Sequence, residues 1–415
     1  MKIAILTIGN ELMSGRTADT NSSFIAREAN LQGWRVEAMM SVEDNFVSIK
    51  SRLDYLLPLA DVIICTGGLG PTADDITTEA IARAFGLSLF TDEKSLNHIK
   101  NIFTRRNLVW VENNTKQALF PQGAEVIPNS MGTAPGFALK VAGKWIFVIP
   151  GVPRETQIMF PEGVMPILRR EFPQNEQYIA RQTIKTFGLS EAAVDKNLAD
   201  IDFNALGVNI GFYPVFPENH IVLVSRQKTL EAAQEKLNLA QNEVTARLNK
   251  YIFSYGEETL EEIVANILKE RKLTIAVAES CTGGLITSRL TDIPGSSEYL
   301  ERAAVTYSNA AKISLLGVPA AIIEKHGAVS EETARLMAEG IRKMAGTDLG
   351  LASTGIAGPD GGSEEKPVGT VYLALSDSDQ TICRHYVYKW DRKRNKHIFS
   401  QAALLLLKNF LQRKG

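Results

Sequence analysis

The run DVIICTGGLGPTADD, residues 61–75, decides how this chain is read. Its first half is apolar and β-branched, the pattern of a strand buried on both faces of a sheet. Its second half is a glycine-rich turn, then two carboxylates where a helix is expected to begin near Asp75. Upstream, MKIAILTIG reads as a first strand and RVEAMMSV (35–42) as another. Between them, TNSSFIAREANLQGW carries Phe24, Ile25 and Leu31 in an amphipathic helical pattern, and DNFVSIKSRLDYLL (44–57) is helical in the same way. This βαβαβ order predicts a mainly parallel sheet with helices on both faces. Ligands of such sheets sit at the carboxyl ends of strands, where both IGNEL (8–12) and TGGLGPT (66–72) fall.

The turn suits an anion. Gly67, Gly68 and Gly70 have no side chains, so backbone amides can approach a phosphate closely. The following helix points its positive end at the same corner. Asp74 and Asp75 could hold a divalent cation that bridges phosphate oxygens. Taken singly, glycines make turns and aspartate is a preferred N-cap, so capping and ligand contact both stay open for Asp75. Other polar turns follow strands: Glu11, then Asp19 and Asn21, then Asn113, Asn114 and Lys116 in ENNTKQ, then MGTAPG (131–136) and IPGVPRE (149–155). Their recurrence after strands points to one shared cleft.

Together TGGLGPTADDIT, ENNTKQALFP, GTAPGF and IPGVPRE resemble the N-terminal half of the CinA family, over roughly residues 1–170. The resemblance implies a three-layer α/β domain similar to the molybdopterin-binding fold. It also implies a metal-dependent pyrophosphatase that splits ADP-ribose into AMP and ribose 5-phosphate. Gly67, Gly68, Gly70 and Thr72 would then face the phosphates, and Glu11, Asp74 and Asp75 the cation. Asp75 falls on the functional aspartate of related molybdopterin proteins. The oxygen-rich donors allow magnesium, manganese or cobalt. One departure is Asn10, where the family usually has a small hydroxyl residue before Glu11.

The texture changes over residues 171–255, expected to be a small α+β, KH-like linking module. QTIKTFGL (182–189) and HIVLVSR (220–226) read as strands around a polar middle. A long helix is expected from about Thr229 to Lys250, with Leu230, Leu237 and Val244 on one face. Residues 171–250 hold 8 Lys+Arg against 10 Asp+Glu, and no GxxG loop of the kind that clamps a nucleic-acid backbone. A spacer or dimerisation role fits better than RNA binding, and a homodimer is expected.

A third unit, residues 256–415, is α/β again. TLEEIVANILKERK reads as a helix, TIAVAES as a buried strand and GGLITSRLTDI as the helix after it. AAVTYS, DLGLASTG, VGTVYLALS and TICRHYVYKW read as strands, NAAKISLLG as a helix, and a closing helix spans about Asp391–Leu411. At the first strand-to-helix turn, AESCTGG places Ser280, Cys281 and Thr282 in a row. Such a turn exposes a nucleophile, and the amides of Cys281, Thr282 and Gly283 could hold an oxyanion. Serine still needs a base. Lys312 lies in the first turn of a predicted helix, where the dipole and partial burial both disfavour its charge and lower its pKa. Tyr307 and Asn309, just before it, could orient the lysine or the substrate. A cysteine nucleophile would usually take a histidine, and His326 and His385 are the candidates in this unit. By itself Ser280 could be a helix N-cap, Cys281 a small buried residue and Lys312 a surface lysine. STGIAGPDGG (353–362) adds another anion-friendly loop, and Arg392 and Arg394 could grip a phosphate.

VAESCTGGL, YSNAAKISLLGV, HGAVS and TGIAGPDGGSEEKPVGTV resemble the C-terminal CinA domain, the nicotinamide mononucleotide amidase, over about 257–412. The resemblance implies a Ser280–Lys312 dyad with Tyr307 beside it and no cofactor. It puts Thr354 and Arg392 on the substrate side, where Gly283, Gly284, Asn309, Gly355 and Gly358 are the further candidates from their place in the turns. The family often shows Gly-Asp-Arg before the last helix, where this chain has Trp390-Asp391-Arg392. The expected function is a bifunctional pyridine-nucleotide salvage hydrolase. Its rival is a non-catalytic nucleotide- or pterin-binding competence or DNA-damage adaptor.

Composition narrows the field. The chain has 415 residues, 45% of them hydrophobic, and a net charge of -2, which gives no electrostatic reason to expect nucleic acid or an anionic membrane as partner. No apolar run approaches the ~20 residues of a membrane span. MKIAILTIG reads as a strand rather than a signal peptide. The three cysteines, Cys65, Cys281 and Cys383, are far apart, as expected in a reducing cytoplasm.

Overall fold

A computed structural model describes residues 1–173 and 178–413. The chain divides into two compact units, Met1–Ile179 with Gln227–Leu230, and Ala180–Arg226 with Glu231–Gly415.

In the first unit, strands Arg35–Val42, Lys2–Ile8, Val62–Thr66 and Lys144–Ile149 lie side by side and parallel. Gly136–Val141 and Glu125–Ile127 extend the sheet antiparallel. Successive side chains of a strand alternate between faces, and both faces are apolar here. Ala4, Leu6, Ile63 and Cys65 pack beneath helix Phe46–Leu56 with Ile49, Leu53 and Leu56. Ile3, Ile5, Val62 and Ile64 pack against Ile25 and Ala29 of helix Thr20–Leu31. The result is the expected three-layer sandwich. Asp19 and Asn45 accept amides of the helices that follow them, a type of cap that contributes about 1 kcal/mol each. The helix after the glycine turn spans Thr77–Ala84, and its N-cap position is Ile76. Asp75 therefore does not cap it.

The second unit begins with the small module. Its sheet runs Val208–Val215, Glu218–Gln227, Tyr178–Phe187, Ile252–Tyr255, with helices Glu191–Leu198 and Leu230–Leu248 against it. The long helix buries Ala233, Leu237, Ala240, Val244 and Leu248. Leu230 does not share that face: it is 51% exposed at the helix start.

The rest of the unit is a second sandwich, with strand order Leu300–Val305, Ile275–Glu279, Leu349–Gly355, Thr370–Ser376, Thr381–Val387. The first three strands are parallel and the last two antiparallel. Helices Leu260–Glu270, Leu285–Thr291 and Arg392–Arg413 cover one face. Asn309–Leu316 and Glu331–Ala345 cover the other. Thr259 and Glu262 close a reciprocal capping box at the first of these helices. Among the described residues no helix is long and apolar enough to cross a membrane.

Candidate functional site

Two sites emerge, one in each unit. In the first, a cavity of about 450 Å³ opens at the carboxyl ends of the central strands, lined by Gly67, Gly68, Gly70, Glu11, Asp44, Asp74, Asp75, Gln117 and Glu155, among others. Backbone conformation explains the glycines. Gly67 has φ +102° and Gly68 φ +64°, and a Cβ on either would collide with the Ile8 carbonyl or the Thr77 hydroxyl. A Cβ on Gly70 would overlap the Asp75 carboxylate.

The acids are arranged differently from the expectation. Asp75 Oδ2 accepts from the Thr72 amide at 2.9 Å and lies 2.6 Å from Thr72 Oγ1, whose single hydrogen it shares with Asp74 Oδ1. The Thr72 hydroxyl is thus spent on the two aspartates rather than free for a phosphate. That contact holds the Asp74 carboxyl below the usual range. Asp44, not singled out in the sequence, joins the cluster by accepting from the Asn10 amide at 2.9 Å, while the Asn10 side chain accepts from the Asp44 amide at 3.3 Å. Asn10 thus has its own local role. Burial pushes the Asp44 carboxyl up, and the nearby charges of Glu11, Asp74 and Asp75 add to this. These hard oxygen donors suit a divalent cation in kind. Among the described residues no three His, Cys, Asp or Glu side chains are gathered into a ready-made metal cage, so a cation here would draw the rest of its ligands from the substrate's phosphates. Around the rim, Asn21 Nδ2 donates to the Gly151 carbonyl at 2.7 Å and Lys116 Nζ to the Thr72 carbonyl at 2.9 Å. Gln117 lines the cavity, and its buried Oε1 has no hydrogen-bond partner among the described residues.

The second site is built on the strand Ile275–Glu279. Helix Leu285–Thr291 starts five residues after Ser280, with Gly284 at its N-cap position, so Ser280 is not a cap. The loop between them turns on two glycines in the left-handed region, Gly283 at φ +60° and Gly284 at φ +91°. Lys312 lies in helix Asn309–Leu316 and is 1% exposed. Its Nζ reaches Ser280 Oγ at 3.1 Å, the Thr306 carbonyl at 2.8 Å and the Tyr307 carbonyl at 3.4 Å. No carboxylate pairs with it among the described residues, and burial lowers its pKa. A lysine of depressed basicity on a serine hydroxyl has the geometry a nucleophile and its base require.

Burial and existing partners set the neighbouring candidates apart from Ser280. Cys281 is buried, which pushes its thiol up to about 12, far from the thiolate a nucleophile needs. Thr282 is fully buried and shares a 2.7 Å hydrogen bond with Ser353 Oγ. His326 Nδ1 pairs with Glu332 at 3.1 Å, and His385 stacks on Tyr372 at 4.5 Å.

Several substrate-side expectations are corrected. The Gly283 amide donates to the Ser280 carbonyl at 3.1 Å and the Gly284 amide to Glu279 Oε2 at 2.9 Å, so neither is free for an oxyanion. Among the described residues no backbone carbonyl takes the amides of Cys281 and Thr282. The Thr354 hydroxyl is buried and donates to the Ala328 carbonyl at 2.7 Å, which ties the strand end to the HGAVS loop. Gly355 is small for packing, since a Cβ there would press on the Thr370 carbonyl. Asn309 is exposed at its helix start. The Tyr307 ring is 60% exposed and its hydroxyl accepts from Arg392 Nη2 at 2.8 Å, while the hydrogen bond from Lys312 goes to its carbonyl. Arg392 Nη1 donates to the Gly358 carbonyl at 2.7 Å, and its guanidinium retains further donors.

Three sequence families match this chain: "Probable molybdopterin binding domain" over 4–170, "Damage-inducible protein CinA KH domain" over 181–254, and "CinA C-terminal domain" over 257–411. A CinA-like protein of Syntrophus aciditrophicus (strain SB) is 59% identical over 412 residues, which is 99% of this chain and 98% of the relative. The chain belongs to the CinA family. A CinA relative in Caldicellulosiruptor bescii, called a putative competence-damage inducible protein, is 40% identical over 98% of each chain. Among solved structures, the competence/damage inducible protein CihA from Agrobacterium tumefaciens is 38% identical, covering 39% of this chain and 99% of its own, with a TM-score of 0.36.

Three residues of this CinA-family chain escape sequence reasoning at the second site. Glu279 is fully buried; its two oxygens take the amides of Gly284, Ile286 and Thr287 and the Thr287 hydroxyl, at 2.6–3.2 Å. It thereby satisfies the orphan amides of the helix that follows the Ser280 loop. The Ser353 carbonyl accepts the Ser280 amide at 3.0 Å. Lys396 Nζ lies 3.4 Å from where a Cβ on Gly283 would stand, and among the described residues it has no carboxylate partner. Only the last had a signal in sequence, as one of several cations at the start of the closing helix, where a positive charge is unfavourable without an anion.

Proposed function

We propose that the C-terminal domain is an amidase for nicotinamide mononucleotide. The observation that carries this is the 3.1 Å contact between Ser280 Oγ and the buried Lys312 amine. The neutral amine takes the hydroxyl proton as Ser280 Oγ attacks the carboxamide carbon. The amides of Cys281 and Thr282, which no backbone carbonyl takes, are the donors proposed for the developing oxyanion. Collapse of the intermediate passes the proton from Lys312 to the departing ammonia and leaves an ester on Ser280. Water, deprotonated by Lys312, then cleaves that ester and releases nicotinate mononucleotide. Arg392 and Lys396 are the cations available to the phosphate.

The N-terminal cavity is proposed to take ADP-ribose and hydrolyse its pyrophosphate to AMP and ribose 5-phosphate. The Gly67 amide is taken by the Ile149 carbonyl at 3.1 Å, which leaves the amides of Gly68 and Gly70 to the turn, and the acids lining the cavity repel an anion. The substrate is therefore expected to arrive with a divalent cation, which neutralises the pyrophosphate charge when bound. Magnesium, manganese and cobalt all suit oxygen donors. Both substrates are products of dinucleotide breakdown, which makes one salvage role coherent. A purely adaptor role would leave the buried Ser280–Lys312 pair without a purpose.

The two activities are separable by experiment. Asp75→Ala is expected to lower AMP release from ADP-ribose by about 100-fold or more, because the Thr72–Asp75 clasp and a carboxylate of the cavity are lost together. Ammonia release from nicotinamide mononucleotide, measured on the same preparation, should stay within twofold of wild type. Loss of both activities in folded protein would contradict the assignment of two sites.

A further inference from the structure

The small module carries a β-hairpin, strands Val208–Val215 and Glu218–Gln227, with Phe216 and Pro217 at its tip. The tip meets the start of the closing helix Arg392–Arg413. The Phe216 and Trp390 rings lie edge to face, 5.4 Å between centroids. The Arg394 guanidinium sits over both, 5.6 Å from Phe216 and 5.4 Å from Trp390. The hairpin is anchored to the same helix further along, where Glu218 Oε1 accepts from Gln401 Nε2 at 2.7 Å. Glu218 Oε2 is held in turn by His220 at 2.7 Å.

These contacts bracket Arg392, which lies between Trp390 and Arg394 and links the Gly358 carbonyl to the Tyr307 hydroxyl. One turn further along stands Lys396, beside Gly283 of the nucleophile loop. Phe216 and Trp390 are 43% and 46% exposed, so their contact is not part of either hydrophobic core. Two half-exposed aromatic rings and a cation at one point fix a position more than they stabilise a fold.

We propose that the small module is a working part of the Ser280 site rather than a spacer. Phe216 is a positioning residue: through Trp390 and Arg394 it holds the helix start, and with it Arg392 and Lys396, in place to receive the phosphate of a mononucleotide. This rests on the amidase reading above.

The test uses the full chain with Phe216→Ala and the conservative Phe216→Trp. KM for nicotinamide mononucleotide should rise about three- to tenfold in Phe216→Ala, the range expected for one lost aromatic contact, with kcat within twofold of wild type. Amide hydrogen exchange over residues 394–398 should accelerate in the same variant. Phe216→Trp should restore both. An unchanged KM in Phe216→Ala would overturn the proposal, as would a fall in kcat with KM constant. If folded wild-type protein releases no ammonia from nicotinamide mononucleotide, the amidase reading fails instead. Hydrogen exchange then decides the restraint alone, and unchanged exchange in Phe216→Ala would overturn it.

Discussion

Lys312→Met is expected to lower ammonia release from nicotinamide mononucleotide by about 10³-fold or more while leaving the fold intact. Lysine and methionine fill similar space, and the site is buried, so the apolar side chain is tolerated where the amine stood. What disappears is the base on Ser280 Oγ and the acid for the leaving amine. Wild-type activity should also carry a specific pH signature. Burial lowers the Lys312 pKa from the ordinary 10.5, and the proposed mechanism uses the free amine. Activity therefore rises with pH through the lowered value and falls on the acid side as the amine is protonated. Stability follows the same sign. Between the lowered folded pKa and the ordinary unfolded one, the unfolded chain binds more protons, so this lysine's contribution grows as pH rises and is lost as pH falls through the folded value. The variant has no such penalty and should resist acid better than wild type. A pH–rate profile and a denaturation midpoint at two pH values check both statements.

Glu279→Gln is the second large effect, and it acts on stability as well as on turnover. One carboxylate oxygen accepts the amides of Gly284 and Ile286, and the other the amide and hydroxyl of Thr287. A glutamine keeps one acceptor oxygen and turns an NH₂ toward two donors. Each buried donor left unsatisfied costs about 1–3 kcal/mol, so a loss of about 2–6 kcal/mol is expected. The urea midpoint of the second unit should fall accordingly, and ammonia release with it, because the Ser280 loop is tethered through Gly284. A midpoint equal to wild type would show that the carboxylate is not what holds this turn.

The strand-and-turn frame was legible in sequence for a physical reason. An apolar β-branched run ending in glycines has few other ways to fold, and both DVIICTGG and TIAVAES-CTGG behave as read. Helix Glu331–Ala345 went unread although Ala334, Met337, Ala338 and Ile341 line its buried face. Gly340 interrupts its pattern, yet it is there because a side chain would strike the Leu316 carbonyl. The edge strand Val208–Val215 was hidden by Gly211 and Pro214 and by exposed side chains. Seven-residue spacing placed Leu230 with Leu237 and Val244, but the first residue of a helix has no neighbouring turn to pack under.

The site was legible in part. Ser280 and Lys312 are 32 residues apart, and their contact follows from parallel strands that end side by side, with the Thr306 amide bonded to the Glu279 carbonyl at 2.8 Å. Periodicity alone does not bring two strand ends together; the family motifs did. Thr72, Thr354 and Tyr307 look like ligand contacts in sequence because hydroxyl groups are exposed there on paper. In the fold their hydroxyls are engaged by Asp74 and Asp75, by the Ala328 carbonyl and by Arg392. Glu279 gave no signal because a carboxylate at a strand end reads as solvated, whereas here it is the acceptor for a helix start.

The central claim is that Ser280 is the nucleophile of a metal-independent amidase. The most direct measurement is ammonia release from nicotinamide mononucleotide in excess EDTA, wild type beside Ser280→Ala. The account predicts steady release by wild type, unaffected by the chelator, and none above background from the variant. Release that persists in Ser280→Ala, or no release from folded wild-type protein, would contradict it.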